Sequence, residues 1–175
     1  TNDLCVLHLD AQLDLRKKYK SSKFAHACVM RRILDELGVP IVSVGIRSLC
    51  REEYELVKTR RIPVIWAHDI AVAPKKAWMD DIVAQLGKNV YITVDVDCLD
   101  PAVIPGTGTP EPGGLMWREL TGLLRRVCMA RRIIAADIVE LAPVPGITTN
   151  EYIAARLAAK LMLYQKTATC KRPQP

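Results

Sequence analysis

Asp95 and Asp97 lie two residues apart at the end of an apolar, β-branched run, residues 90–94, that reads as a buried strand. Alternate residues of a strand point to the same side. Two carboxylates on one side of a buried strand end repel each other and need a cation, a hydrogen-bond donor or a proton. A divalent cation is the simplest of these answers, because it takes oxygen ligands from several side chains at once. Taken alone, the pair fits equally well with aspartates that cap a helix or order a loop.

A second stretch makes the pattern more specific. Residues 9–14, LDAQLD, follow another apolar run, and Asp10, Gln12 and Asp14 share a face if the chain stays extended there. Two strand ends thus offer Asp, Gln, Asp and Asp-x-Asp. Four carboxylates converging on one crevice would neutralise two divalent ions. Residues 95–114, DVDCLDPAVIPGTGTPEPGG, form a long Pro-, Gly- and Thr-rich loop leaving the second of these strands. Ligands bind at the carboxyl ends of strands in open α/β sheets, and long loops in compact domains tend to be functional.

The elements that must hold these residues follow from the hydrophobic pattern. Strands are predicted at 4–9, 41–44, 63–66, 90–94 and 133–138. Helices are predicted at 22–37, 52–59, 74–86, 116–129 and 150–164. The first helix places Ala25, Cys28, Val29, Ile33 and Leu37 on one stripe and is closed by Gly38 and Pro40. Short continuous apolar strands alternating with helices predict an α/β fold: a mostly parallel sheet, covered on both faces in three αβα layers. One domain over residues 1–165 with a flexible tail at 166–175 is expected.

Composition narrows the function classes. The chain has 175 residues, half of them apolar, enough for one core. No apolar run reaches the roughly 18 residues needed to span a bilayer, so no membrane role is expected. The net charge of +6 comes largely from short basic clusters scattered over helix ends and loops, with few aromatic residues for stacking. That pattern favours solvated faces over a nucleic-acid surface. None of the six cysteines forms a C-x-x-C pair. Cys5, Cys28 and Cys128 read as small core hydrophobes in a reducing, cytoplasmic setting.

Several other residues invite a role. His8, two before Asp10, reads as a core or supporting histidine rather than a ligand, and His68 has no assigned role. Arg47 reads as an anion binder or an ion-pair partner, and Glu111 as an organiser of its loop. Trp66, Trp78 and Trp117 read as packing or subunit contacts. The Thr107-Gly108-Thr109 run lacks the Lys-Ser/Thr of a phosphate loop.

The motifs VDVDCLDPAVIPGTGTPEPGG and LHLDAQLDLR, with SKFAHACVMRRIL between them and GIRS and DIVELAP in order, resemble the agmatinase/arginase family of ureohydrolases over essentially the whole chain, with a leaning to agmatinase. The resemblance implies an arginase-like fold and a manganese-dependent enzyme. Such an enzyme hydrolyses the guanidinium group of agmatine, or a related linear guanidino compound, to urea and an amine. It implies that Asp10 and Asp95 bridge two Mn2+ ions, Asp14 completes the first site and Asp97 binds the second. His26 is the implied proton shuttle near the leaving amine, and Glu140 the partner of the substrate guanidinium. A homo-oligomer, trimer or hexamer, is also implied.

The chain departs from the family pattern at Gln12, where the family has a metal-binding His. The family's other metal His, in a Gly-Gly-x-His segment, would precede residue 1, together with the first strands of the sheet. The alternative is therefore a metal-deficient homologue with a structural or regulatory role.

Overall fold

A computed structural model describes residues 3–73 and 77–171. Five strands form one sheet: β1 (Leu4–Leu9), β2 (Ile41–Ile46), β3 (Val64–Trp66), β4 (Asn89–Asp95) and β5 (Arg132–Val139). Their order is β3-β2-β1-β4-β5, and every pairing is parallel. The chain leaves β1 toward one edge and later returns to β1's other side. The order therefore reverses between β1 and β4, whose carboxyl ends flank the crevice where such sheets bind ligands.

Apolar residues on the two pleat faces build two cores. Cys5, Leu7 and Leu9 of β1, with Ile92 and Val94 of β4, pack with helices α4 (Ala77–Gln85), α5 (Trp117–Ala130) and α6 (Thr149–Lys171) through Ile82, Leu123 and Leu157. On the other face Val6, Leu13 and Leu15 pack with Met30 of α1 (Val29–Arg32) and Val57 of α2 (Arg51–Arg60). Helices thus cover both faces, giving the predicted three-layer α/β arrangement. A short α3 (Ala67–Val72) follows β3 directly; the sequence reading had no element there.

The predicted helix at 22–37 is corrected. The chain enters a 3-10 turn only at His26, makes one α-helical turn at Val29–Arg32, and widens into a π-helical turn at Ile33–Leu37. This changing pitch breaks the 3.6-residue stripe. Cys28 and Met30 are buried, while Val29 and Leu37 are exposed. The last helix runs on past residue 164 to Lys171, so residues 166–171 of the expected tail are helical. The predicted helix start at Pro74, and residues 172–175 of the tail, lie outside the described residues.

All six cysteines are free, and Cys5, Cys28, Cys98 and Cys128 are buried. Among the described residues no helix is long and apolar enough to cross a membrane.

Candidate metal centre

The first carboxylate comes from the residue after β1. The amide of Asp10 donates to the Val44 carbonyl, continuing the ladder one step past the strand, and the residue is 3% exposed. Its two oxygens accept from the Gln12 amide at 2.6 Å and from His8 Nε2 at 2.9 Å. The chain does not stay extended beyond this point. Gln12 makes one isolated parallel bridge to Ser48, and Asp14 takes a left-handed conformation with φ of 52°. The Asp14 carbonyl accepts the amide of Arg31, which ties the turn to α1.

The second pair comes from the end of β4. Asp95 closes the strand, and Asp97 lies in a 3-10 turn, Val96–Cys98, rather than further along a strand as predicted. The tight turn lets the Asp97 amide donate to Asp95 Oδ1 at 2.8 Å. Asp97 in turn accepts from the Ala11 amide at 3.0 Å and from the Thr109 hydroxyl at 3.0 Å. These bonds lace the two strand ends together.

The outcome is two groups of possible cation ligands that share one residue. His8, Asp10 and Asp14 offer ligand atoms within 4.8 Å of one another, and so do Asp10, Asp95 and Asp97. Among the described residues, none of the four aspartates pairs with a lysine or arginine; Asp10 bonds to His8, whose imidazole burial pushes down to about 4. Burial pushes Asp95 up to about 9 and Asp14 up to about 7, with the charge of Asp10 the next cause for both. Asp10 itself is raised well above the usual carboxylate range, by burial and then by Asp97. Buried carboxylates that disfavour one another's ionisation make up an oxygen-rich donor set that fits divalent cations.

A pocket of about 450 Å³ opens over this cluster. Asp10, Gln12, Asp14 and Asp95 line its floor, and His26 and Glu140 line it as well. His26 is exposed, with its ring edge-on to Tyr19 at 5.3 Å between centroids. Glu140 is exposed just past β5 with φ of 61°. Asp97 is not among the residues that line the pocket: it is 1% exposed, with Oδ1 accepting from the Ala11 amide. The structure thus brings all seven predicted site residues into one region.

Three more residues serve the site in ways that the sequence does not predict. Thr109 donates toward both Asp97 Oδ2 and, at 3.4 Å, Gln12 Oε1, so the rejected phosphate-loop run still meets the site. Among the described residues Arg47 makes no ion pair. Its guanidinium donates to the carbonyls of Gly45, Asp97, Glu111 and Pro112, which pins the 95–114 loop to the end of β2. A Cβ on Gly114 would stand 2.6 Å from the Asp100 amide and 2.8 Å from Arg47 Nη2, so this contact admits only glycine. Buried Glu53 accepts from the amides of Leu15 and Cys50, joining the start of α2 to the loop that carries Asp14. Its one sequence signal is a glutamate three residues after a helix cap.

Comparison with known proteins agrees with this geometry. The chain is 44% identical over 160 residues to the N(1)-aminopropylagmatine ureohydrolase of Synechocystis sp., covering 91% of this chain and 51% of the relative. It is 34% identical over 163 residues to the agmatinase of Bacillus cereus, covering 92% and 54%. The solved agmatine ureohydrolase of Thermoplasma volcanium superposes with a TM-score of 0.86 at 34% identity, over 99% of this chain and 58% of that one. The arginase of Bacillus caldovelox superposes at 0.80 and 25% identity, over 91% and 60%. The chain spans about half the length of the curated relatives it matches. With residues 1–165 matching the Arginase family profile, and with its aspartates gathered at the switch point of the same fold, the chain belongs to the arginase family.

Proposed function

We propose that the chain carries the catalytic face of a manganese-dependent ureohydrolase acting on agmatine or a related linear guanidino compound. The observation that carries this reading is the convergence of Asp10, Asp14, Asp95 and Asp97 beneath a pocket also lined by His26 and Glu140. The names of the relatives, agmatinase and N(1)-aminopropylagmatine ureohydrolase, support a substrate with a guanidinium at one end of an alkyl chain.

Asp10 and Asp95 would hold both cations, with Asp14 completing the first site and Asp97 and Gln12 the second. When bound, the cations supply an acidified water for attack at the guanidinium carbon. The residues of the chain do the rest. The Glu140 carboxylate accepts charge-assisted hydrogen bonds from the planar guanidinium and orients its carbon over the floor of the pocket. Asp14 accepts a hydrogen bond from the attacking oxygen and so fixes its approach. As the carbon–oxygen bond forms and the bond to the substituted nitrogen breaks, His26 delivers a proton to the departing amine. The products are urea and an amine, putrescine when the substrate is agmatine.

Gln12 favours a second reading, a metal-deficient homologue with a structural or regulatory role. Its neutral amide oxygen already accepts from Thr109 and is a weaker ligand than imidazole. In either case we take the working protein to be a cytoplasmic homo-oligomer, trimer or hexamer.

Urea release from agmatine, N(1)-aminopropylagmatine, arginine and guanidinobutyrate, with Mn2+ present, tests the enzyme reading. Turnover of an agmatine-type substrate is expected, rising at least tenfold in Gln12→His. Full cation binding by Gln12→His with no urea from any of the four substrates would support the non-catalytic reading instead.

A further inference from the structure

Four strands of the sheet are interrupted at the same level by a polar residue. The register sets His8 of β1 beside Ser43 of β2 and Thr93 of β4, and Thr93 beside Asp137 of β5. The residues one step earlier, Leu7, Val42, Ile92 and Ala136, are all apolar. The polar row therefore crosses the sheet directly after an apolar level, one layer beneath the carboxylates. His8 is 1% exposed and Ser43 1% exposed. Such burial is costly for polar groups unless each makes its bonds.

The bonds made define a direction. His8 Nε2 lies 2.9 Å from Asp10 Oδ2, and Nδ1 lies 3.1 Å from Ser43 Oγ. Once Asp10 is ionised, as a cation ligand must be, its carboxylate only accepts, so Nε2 carries the proton and Nδ1 is left as an acceptor for the Ser43 hydroxyl. The sequence of donors is Ser43 to His8 to Asp10. Asp10 is the residue shared by both groups of candidate cation ligands.

We propose that His8 is a positioning residue for Asp10: held by Ser43 on the neighbouring strand, its imidazole fixes the carboxylate of the shared ligand from behind and leaves the remaining lone pairs for the cations. This rests on the reading of Asp10 as a cation ligand. Partners of this kind orient ligands, and their loss typically weakens metal binding about 10–100-fold. A leucine fills a similar volume without a donor, and a glutamine keeps an N–H.

The test is Mn2+ binding to the whole chain by calorimetry, with the manganese resonance recorded on protein carrying 15N-labelled histidine. His8→Leu is expected to bind Mn2+ about 10–100-fold more weakly than the unmodified chain, with His8→Gln recovering most of the loss. No strong coupling from a directly bound histidine nitrogen is expected in the unmodified chain. Unchanged affinity in His8→Leu would overturn the proposal, as would a directly coordinated imidazole nitrogen, which would make His8 a ligand. If His8→Leu fails to fold, Ser43→Ala decides: weaker binding supports the relay and unchanged binding overturns it. Absence of Mn2+ binding in the unmodified chain would overturn both this proposal and the functional reading, whereas equal binding by the variants overturns this proposal alone.

Discussion

Asp14 and Asp95 keep their protons to about 7 and about 9, far above an unfolded aspartate, because burial and the charge of Asp10 oppose ionisation. A carboxyl whose pKa is higher in the folded state favours folding while protonated. That contribution is complete below the unfolded value near 4 and is lost as pH rises through the folded value. The cation-free chain is therefore expected to unfold at progressively lower temperature as pH is raised from about 5 to 9. Saturating Mn2+ reverses the trend, because bound cations replace the protons. Thermal melts across this range, with chelator and with Mn2+, check both parts. A cation-free melting temperature that rises over the same range would show that the carboxylates are neutralised in some other way.

At the scale of elements, the strands and their order along the chain were legible because buried parallel strands read as continuous apolar runs. The Asp95/Asp97 pair was legible for a less secure reason. It was read as two positions of one extended strand, yet Asp97 reaches the site through a 3-10 turn and Asp14 through a left-handed one. Periodicity says nothing about such turns, so the motifs located the residues without describing their paths. Irregularity also hid the true face of the α1 region, where 3-10, α and π turns follow one another. The supports were least legible, because Arg47 and Glu53 act on backbone groups of loops distant in sequence. Glu53→Ala would leave the buried amide of Leu15 and the amide of Cys50 without their acceptor. A loss of about 1–3 kcal/mol in denaturant unfolding is expected, together with weaker cation binding because the Asp14 loop is released. A loss under about 0.5 kcal/mol, the range of ordinary surface substitutions, would mean that water replaces the carboxylate fully.

Over the whole molecule, the crossover of chain direction between β1 and β4 places two acidic strand ends side by side, and the loops at 11–15 and 95–114 close over them. Among the described residues β5 is an edge strand with β4 as its one neighbour, and its Ile134 and Val139 are exposed at 47% and 40%. β5 nevertheless carries Asp137 and leads into Glu140, both on the pocket wall, so the site reaches the edge of the sheet. The proposed function stands on the four aspartates acting together as a divalent-cation centre. Its most direct test is calorimetric titration of Mn2+ into the whole chain near pH 6, in two buffers of different ionisation enthalpy, with Asp95→Asn beside it. Saturable binding with net proton release is expected, because Asp14 and Asp95 must give up their protons, with at least a tenfold loss of affinity in Asp95→Asn. Absence of binding by the unmodified chain, or binding that Asp95→Asn leaves unchanged, would contradict it.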